Sequence, residues 1–565
     1  MDMNEEVILE KKYDNWKTSF LLGALIGAVF FIGIFGIKVL DVTNDDWMTF
    51  EFDLAQHILG WRMYKNSNWY FPIGLCDTGM YPSLTSVVYT DSIPIVALLF
   101  KLISPILPVK FQYFGIFGLF SFMMQGGMAK IILRKYIDKE WIRNVGAVFF
   151  VTNIAYVQRM FWQTALSSHF LILMAIALYV YRNDIKSKKK RIFLWCGLGA
   201  LTISIHFYLY GMVSVLLAGF ALNEFLYELP KIKKAVIVFF SYLFSYLAVT
   251  VFTFYIFGGF YGTININNTE NYMHSAYIDA LFDSKKYSMF FKAREYDDGE
   301  LEGLAYVGLA IIILLIPAFI SFCKDIKRIW TKYRIEFLVI LLLVIMFFAF
   351  SISPIVFMDG EYLFSIEFIP NFVVKYSWGI FRACGRFIWP VMYLFILIAI
   401  VYSERLLKKA YPVILMIMMC LQLIEFSGFF SETYNTINNY KRLNCPADIF
   451  NNYDLREYKH IQFMENYMWI DFYADLTCYY QFVGYARLAM DHRMTISNFH
   501  FARDYDKTVQ EQIERCFAKL NAGKPDNDTL YVFPKEIYLK NDYHEKFDNV
   551  LEFDTGYDIV LIPNY

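Results

Sequence analysis

Long apolar runs separated by short polar segments dominate the first 430 residues of the chain. The first run extends from Thr18 to Leu40, and runs of similar character recur after it. A helix of about 20 apolar residues is long enough to cross the hydrocarbon core of a bilayer. The pattern therefore predicts about 11 transmembrane helices, at residues 18–40, 111–133, 144–160, 164–181, 192–206, 208–226, 235–257, 304–322, 336–353, 386–403 and 411–430.

The first apolar run is predicted to be a retained span. It is longer than the apolar core of a signal peptide, and no small-residue cleavage pattern follows it.

Lys and Arg are concentrated between the apolar runs, and they mark the cytoplasmic side because they resist translocation. Five basic segments lie between the apolar runs, at residues 134–143, 182–191, 231–234, 324–334 and 405–409. The N-terminus and these five segments fall on the same side of the membrane only if residues 92–108 do not cross the membrane. Residues 92–108 are interrupted by Pro94, Lys101 and Pro105, which favours a re-entrant or interfacial helix, with an ordinary span as the alternative. The first reading places the N-terminus in the cytoplasm and loops 41–110, 258–303 and 354–385 outside.

Residues 431–565 lack long apolar runs and are predicted to form a small α/β domain. This domain is expected to lie outside the membrane and to be distinct from the transmembrane domain 1–430. Short β-rich runs at 529–533 and 558–562 predict strands, and apolar spacing over 504–520 predicts a helix. The predicted fold class is thus an α-helical polytopic membrane protein with a small C-terminal α/β soluble domain.

Composition agrees with this class. Hydrophobic residues make up 57% of the chain and charged residues 19%, against roughly 25% charged residues in soluble domains. A soluble enzyme, a disordered chain and a fibrous repeat are excluded, and a net charge of -1 gives no basic field for nucleic acid. The eight cysteines lack metal-binding spacing, so free thiols are expected, although one disulfide in the tail stays open.

The first outside loop contains the strongest candidate for chemistry. Asp53 and His57 are four residues apart, so on a helix they share one face, and Asp91 follows in the same loop. A carboxylate at the lipid–water boundary can act as a general base, since partial desolvation raises its pKa. The alternative is an interfacial helix with Asp53 as its N-cap and His57 facing solvent.

Further charged or imidazole groups lie at predicted span ends. Arg382 and Arg386 stand at an outer mouth, where guanidinium groups could bind a phosphate or extend toward lipid head groups. His169 and His206 could instead make internal hydrogen bonds, and Glu302 could be a solvated loop charge. Arg159 completes this set of candidates.

Motifs for nucleotide binding, zinc proteolysis and α/β-hydrolase chemistry are lacking. Glu51 and Asp53 form an acidic-x-acidic pair, so a divalent metal is conceivable but unsupported, and no cofactor is predicted.

Several segments resemble a bacterial family of large polytopic membrane proteins that is grouped with the GT-C superfamily of membrane glycosyltransferases. They are DLAQHILGW, NWYFPIG, VVYTDSIPIVALLFK, FQYFG, ALSSHFLIL, HFYLYGMV, LEGLAYVGLA and FRACGRFIWPV, which follow one another through the membrane part. The tail is matched only loosely.

The resemblance implies an inverting sugar transfer from a polyprenyl-phosphate donor. It implies Asp53 as the base, with Asp45 and Asp46 as rivals, and His57 and Asp91 as residues that orient the base or bind acceptor hydroxyls. Arg382 and Arg386 would hold the donor phosphate, while Arg159, His169, His206 and Glu302 would line the cavity. The chain departs from some relatives in lacking a clear D-x-D or Asp-Glu pair at the exit of the first span.

The predicted function is transfer of a sugar to an extracytoplasmic glycan, lipid or protein at the bacterial plasma membrane. Aromatic residues of the first loop, Trp61 among them, are suited to sugar stacking or to anchoring at the interface. The alternatives are a transporter or flippase for a lipid-linked or anionic solute, and a non-catalytic membrane scaffold. A transporter predicts an internal repeat, and none is detected in the sequence.

Overall fold

A computed structural model describes residues 15–49, 52–261, 274–291, 298–440, 442, 445–466, 476–502, 505–541, 543 and 550–563. The contacts divide the chain into two compact units. The helical unit consists of Met1–Leu40, Gly115–Val251 and Ile266–Asn439. The loop–tail unit consists of Asp41–Phe114, Phe252–Asn265 and Tyr440–Tyr565.

The α-helices and β-strands are numbered here along the described part of the chain. The helices are α1 (Trp16–Phe35), α2 (Phe52–Asn66), α3 (Pro94–Leu102), α4 (Phe114–Arg134), α5 (Glu140–Val151), α6 (Ile154–Trp162), α7 (Phe170–Val180), α8 (Lys188–Ile203), α9 (Phe207–Glu228), α10 (Ile232–Ile256), α11 (Leu309–Lys332), α12 (Arg334–Ser351), α13 (Asn371–Tyr376), α14 (Trp389–Leu407), α15 (Tyr411–Asn439), α16 (Leu476–Asp491), α17 (Asp506–Asn521) and α18 (Lys535–Asn541). The strands are β1 (Leu75–Cys76), β2 (Thr85–Ser86), β3 (Ile355–Met358), β4 (Glu361–Ser365), β5 (His460–Phe463), β6 (Thr495–Ile496), β7 (Thr529–Pro534), β8 (Val550–Asp554) and β9 (Asp558–Pro563).

Six helical stretches in the described residues are long and apolar enough to cross a membrane: Trp16–Phe35, Phe114–Arg134, Phe207–Ile256, Leu309–Lys332, Arg334–Ser351 and Cys384–Asn439. They make the chain a membrane protein. The stretches Phe207–Ile256 and Cys384–Asn439 each contain two of the helices above. The count of about 11 spans and their orientation stay predictions.

Two predicted spans are not continuous helices. Residues 144–160 form α5 and α6 with a break at Thr152 and Asn153, because the Asn153 side chain caps α6 by accepting the Ala155 N–H at 3.1 Å. Residues 164–181 begin as a 3-10 turn, Thr164–Ser167, and become helical only from Phe170. The apolar pattern of the sequence does not reveal these breaks, because the residues at the breaks are buried like those of the helices around them.

The segment predicted not to cross forms α3, whose nine residues span about 14 Å. That length is short of the roughly 30 Å hydrocarbon core.

Helices α1 and α4 approach closely because both present glycine at their crossing. A Cβ built at Gly23 would lie 2.3 Å from the Gly126 carbonyl oxygen, and one at Gly27 would lie 1.9 Å from the Phe122 carbonyl oxygen. Any larger side chain would push the helices apart, so the small residues at this spacing fix the contact.

The tail contains a five-stranded mixed sheet with the strand order β6-β5-β7-β9-β8. Strand β5 is parallel to β6 and β7, whereas β9 is antiparallel to β7 and β8. The predicted strands at 529–533 and 558–562 correspond to β7 and β9, which pair with Val532 opposite Val560. The predicted helix over 504–520 occurs as α17, and residue 504 lies outside the described residues.

Within the loop–tail unit, the first loop is joined to the tail by backbone hydrogen bonds. Tyr81 N–H donates to the Ile496 carbonyl at 2.9 Å, and Ile496 N–H donates to the Thr78 carbonyl at 2.8 Å. The Tyr81 ring also stacks on His460, with centroids 3.8 Å apart. The sequence-based domain division at residue 431 separated these two segments, and the contacts group them in one unit.

Candidate functional site

Glu302 lies between the guanidinium groups of Arg159 and Arg386 in the helical unit. Its Oε2 is 3.1 Å from Arg159 Nη2 and accepts a hydrogen bond from Arg386 Nε at 2.5 Å. Both arginines are buried, and Glu302 is partly buried. Burial by itself would raise the pKa of the Glu302 carboxyl, but the two guanidinium charges outweigh it, so the pKa lies below its ordinary value. Two cations around one anion leave the cluster with a net positive charge.

Gln163 connects the two arginines. Its Oε1 accepts a hydrogen bond from Arg159 Nη1 at 2.6 Å and another from Arg386 Nη2 at 3.1 Å. Arg159 Nη2 also donates to the Leu301 carbonyl at 2.7 Å. The guanidinium planes are therefore held by neutral acceptors as well as by the carboxylate, and Gln163 was not among the sequence-predicted site residues.

A close backbone approach brings Arg386 beside Glu302. Arg386 stands in the 3-10 turn Cys384–Ile388, and Glu302 stands in the 3-10 turn Asp298–Gly303. A Cβ at Gly385 would lie 2.8 Å from Gly303 Cα, so the two turns can touch only because Gly385 has no side chain.

Tyr208 lies beneath Arg386 and extends the cluster toward α9. The Arg386 guanidinium carbon is 4.5 Å from the Tyr208 ring centroid, a cation–π distance, and the Tyr208 hydroxyl accepts the Ala383 N–H at 3.0 Å. His206 caps α9, because its Nδ1 accepts the Tyr208 N–H at 3.2 Å. Arg382 is exposed, unlike Arg386.

His169 lies close to the same cluster. Its ring is 4.2 Å from the Trp389 ring, over which Arg159 also lies at 5.5 Å. Its Nδ1 pairs with the Tyr393 hydroxyl at 2.7 Å. The buried Nε2 has no hydrogen-bond partner among the described residues. Of the sequence-predicted residues, the helical unit thus brings Arg159, His169, Glu302 and Arg386 together.

An apolar cavity of about 710 Å³ lies within the helical unit between α9, α12 and the segment before α14. Its lining includes Phe207, Tyr210, Gly211, Val215, Met346, Phe350, Trp378, Phe381 and Phe387. The Tyr208 ring is 5.4 Å from Phe381 and 6.5 Å from Phe387. Because Arg386 lies over Tyr208, the charged cluster is adjacent to the aromatic wall of the cavity, through these ring contacts.

In the loop–tail unit, Asp53 and His57 lie one turn apart on α2. Asp53 is partly buried, whereas His57 is buried and stacks on Phe114 with ring centroids 6.2 Å apart. Burial lowers the pKa of His57 and the nearby Asp53 charge offsets this only in part, so the pKa is about 4. His57 is therefore neutral at physiological pH and does not face solvent.

Asp91 adopts a left-handed backbone conformation with a φ of 50° at the end of a 3-10 turn. The next residue, Ser92, donates its hydroxyl to the His57 carbonyl at 2.8 Å, which brings Asp91 next to α2. Trp61 is fully buried, and its indole N–H donates to the Phe111 carbonyl at 2.8 Å. Its ring packs among Phe100, Phe111 and Tyr113, so it belongs to the core of this unit rather than to a sugar-binding surface.

The two rival bases occupy different surroundings. Asp45 is buried, with its Oδ2 3.6 Å from Arg62 Nη1. Arg62 also pairs with Asp491 of the tail. Asp46 is partly buried in the short turn Asp46–Met48. Asp45 is thus part of an ion-pair network, a role that no local sequence pattern indicated.

The described residues contain no group of three or more His, Cys, Asp or Glu side chains that could hold a metal ion. The cysteines they include are free thiols. Glu51 of the acidic-x-acidic pair lies outside the described residues.

The apolar helices and the buried cationic cluster define a polytopic membrane protein with a charged site beside an apolar cavity. The chain belongs to the DUF6311 family, a domain of unknown function whose model matches residues 24–427. A second model, the DUF6311 C-terminal domain, matches residues 454–558.

A solved structure is distantly similar to the whole chain. It is ArnT from Cupriavidus metallidurans bound to undecaprenyl phosphate, with 12% sequence identity, 97% coverage of both chains and a TM-score of 0.36. No curated protein matches the chain.

Proposed function

We propose that this protein is a membrane glycosyltransferase that moves a sugar from a polyprenyl-phosphate-linked donor to an extracytoplasmic glycan, lipid or protein. One observation carries the proposal: two rings that line the 710 Å³ apolar cavity, Phe381 and Phe387, contact Tyr208, and Tyr208 in turn carries Arg386 of a cluster with two guanidinium groups and one carboxylate. A ligand with an apolar chain and an anionic head group would fit an apolar cavity that lies beside a cationic cluster.

The cavity supports the lipid part of such a donor. Its lining is dominated by aromatic and aliphatic side chains, which offer dispersion contacts but few hydrogen bonds. A branched isoprenoid chain loses no hydrogen bonds on entering such a site, and it exchanges contacts with lipid tails for dispersion contacts with the close-packed rings. A free nucleotide sugar would leave its polar groups unsatisfied there.

The charged cluster supports the phosphate part. Arg binds phosphate oxygens bidentately, and Glu302 keeps two buried guanidinium groups from repelling each other while leaving a net positive charge. Charge that develops on the phosphate as it leaves would strengthen these contacts, which is the kind of interaction that accelerates a reaction. Arg382 would reach the headgroup from its exposed position, and His169 and His206 would line the site.

Asp53 is the proposed base. It would take the proton of the acceptor hydroxyl while that oxygen attacks the anomeric carbon, and the bond from that carbon to the lipid phosphate oxygen breaks with inversion. His57 would act as a neutral neighbour, since its pKa of about 4 excludes a cationic role near pH 7. Asp91 would bind acceptor hydroxyls. The site would lie on the extracytoplasmic side of the bacterial plasma membrane.

The test is lipid-linked-sugar profiling of membranes from a deletion strain complemented with defined variants. We expect a polyprenyl-phosphate sugar to accumulate in the deletion strain and in the strain carrying Asp53→Asn at normal protein abundance. Wild type and Asp454→Asn should both restore the profile, because Asp454 is exposed and its salt bridge is with the nearby Arg456. An unchanged profile in the deletion strain would overturn the function, whereas restoration by Asp53→Asn would remove Asp53 from the role of base.

A further inference from the structure

A second cavity, of about 340 Å³, lies within the loop–tail unit and differs in character from the apolar one. Its walls come from the end of α2, the segment after α3, the last turn of α16 and the residues that follow it. The lining residues are Lys65, Asn66, Ser104, Pro105, Leu107, Val109, Met490 and Arg493. Two of these residues are cationic and none is acidic, so the cavity favours an anion.

Lys65 is held in place by two carbonyl groups, and no carboxylate of the described residues forms a salt bridge with it. Its Nζ donates to the Pro108 carbonyl at 2.9 Å and to the Val109 carbonyl at 2.6 Å. An ammonium has three donors, so a further N–H can serve a ligand. Burial, together with the charges of Arg62 and Arg493, lowers the pKa of Lys65 to about 8, and the Asp491 charge opposes this only in part. An incoming anion would relieve this excess of positive charge.

The cavity walls are tied together before any ligand binds. Asn66 Nδ2 donates to the Met490 carbonyl at 2.9 Å, which joins α2 to the last turn of α16. Arg493 follows in a left-handed conformation with a φ of 57° and is exposed at the opening. A preformed cationic pocket loses less ordering entropy on binding than one that must assemble.

The rim beside this pocket is apolar and uncovered. Ile106 is 81% exposed and Leu102 is 62% exposed, and Leu99, Ile103 and Val109 on the same segment are also exposed. Five large apolar side chains on one short segment form a patch that a soluble surface rarely carries. Acyl chains would cover the patch, while a headgroup phosphate would lie over the neighbouring cations.

We propose that Lys65 and Arg493 bind the headgroup of an anionic phospholipid, with the segment from Leu99 to Val109 inserted among the acyl chains. The inference does not rest on the proposed sugar transfer. Charge complementarity selects an anionic lipid over a zwitterionic one, and the apolar rim selects a lipid over a soluble phosphate.

The experiment is native mass spectrometry of the full-length protein in detergent, titrated with phosphatidylglycerol, phosphatidylcholine or soluble glycerol phosphate. We expect Arg493→Gln to weaken the tightest phosphatidylglycerol binding about fivefold, as loss of one cation near a lipid surface implies. Arg493→Lys should retain binding, because it keeps the charge. Lys524→Gln is the matched control, since Lys524 is an exposed tail lysine outside the cavity.

Equal phosphatidylglycerol binding by wild type and Arg493→Gln would overturn the proposal. Wild-type binding of glycerol phosphate as tight as that of phosphatidylglycerol would overturn the assignment to a lipid. Arg493 variants are used first because the residue is exposed; Lys65→Gln removes two hydrogen bonds and serves only as a second variant.

Discussion

Arg62 on α2 pairs with Asp491 at the end of α16, although the two residues are separated by 429 positions in the chain. Arg62 is fully buried, and Asp45 supplies a second carboxylate at 3.6 Å. The helix that carries Asp53 and His57 is therefore held by the tail. This contact gives the tail a structural role in positioning the proposed base.

Asp491→Asn should destabilise the protein by about 2 kcal/mol, because a buried guanidinium loses a charged hydrogen-bond partner. Thermal unfolding of the purified full-length protein measures the effect as a lower Tm. Asp454→Asn is the control, since its pair with Arg456 is exposed and exposed pairs contribute about 0–1 kcal/mol. Equal Tm values for the two variants would show that Asp491 does not hold α2.

Glu302→Ala should mainly lower stability, whereas Arg386→Ala should mainly impair use of the donor. Removing Glu302 leaves two buried cations without a counter-charge, which should cost about 3–5 kcal/mol of stability. Removing Arg386 leaves the neutral pair of Arg159 and Glu302, so the protein should fold but use its donor less well, with a raised KM. The double variant should recover part of the stability lost in Glu302→Ala. Additive losses in that double-mutant cycle would contradict the proposed charge balance.

Val215→Trp should impair use of a lipid-linked donor, because Val215 lines the 710 Å³ cavity and the larger ring would occupy it. The matched control is Val236→Trp on α10, where the side chain is exposed and lies outside that lining. Transfer assays with both variants at equal abundance measure the difference. Normal transfer by Val215→Trp would separate the cavity from donor binding.

His57 predicts a pH dependence of stability. Its pKa is about 4 in the folded protein and about 6.5 in an unfolded chain. The unfolded state therefore binds more protons between these values, so stability is full above pH 6.5 and falls as pH decreases toward 4. The loss should approach about 3 kcal/mol, since one pKa unit corresponds to 1.36 kcal/mol.

Tm measured from pH 7.5 to 4 for wild type and His57→Phe tests this prediction. The Phe variant keeps an aromatic ring against Phe114 and cannot titrate, so its Tm should fall less over that window. Parallel curves for the two proteins would contradict a buried neutral His57.

The local pattern of the sequence was sufficient for much of the secondary structure. Apolar length predicted helices close to the observed α1, α4, α9 and α12, and short β-rich runs bounded by polar or Pro residues predicted β7 and β9. These features depend on neighbours within one helix or strand, which is the range that periodicity reports. Asn153 interrupts a predicted span because a side-chain cap changes the backbone without changing hydropathy.

Only part of the candidate site could be predicted from the sequence. Arg159, Glu302 and Arg386 were each singled out near span ends, and the resemblance implied that they share one cavity, but the pairing of both arginines with the Glu302 carboxylate depends on the contact between Gly385 and Gly303. Gln163 and Tyr208 join the cluster through hydrogen-bond and ring geometry that no spacing encodes. Trp61 was predicted to suit sugar stacking or anchoring at the interface, because the sequence does not distinguish a buried aromatic residue from an exposed one in an acidic loop.

The sequence by itself determined that the chain enters a membrane, where several of its helices lie and which charged residues need an explanation. The tertiary structure alone decided which of those charges neutralise one another and that the tail holds α2 through Asp491. The physical reason is range: hydropathy and helix periodicity act between residues a few positions apart, whereas an ion pair depends on distance in space, which the chain can close across hundreds of residues.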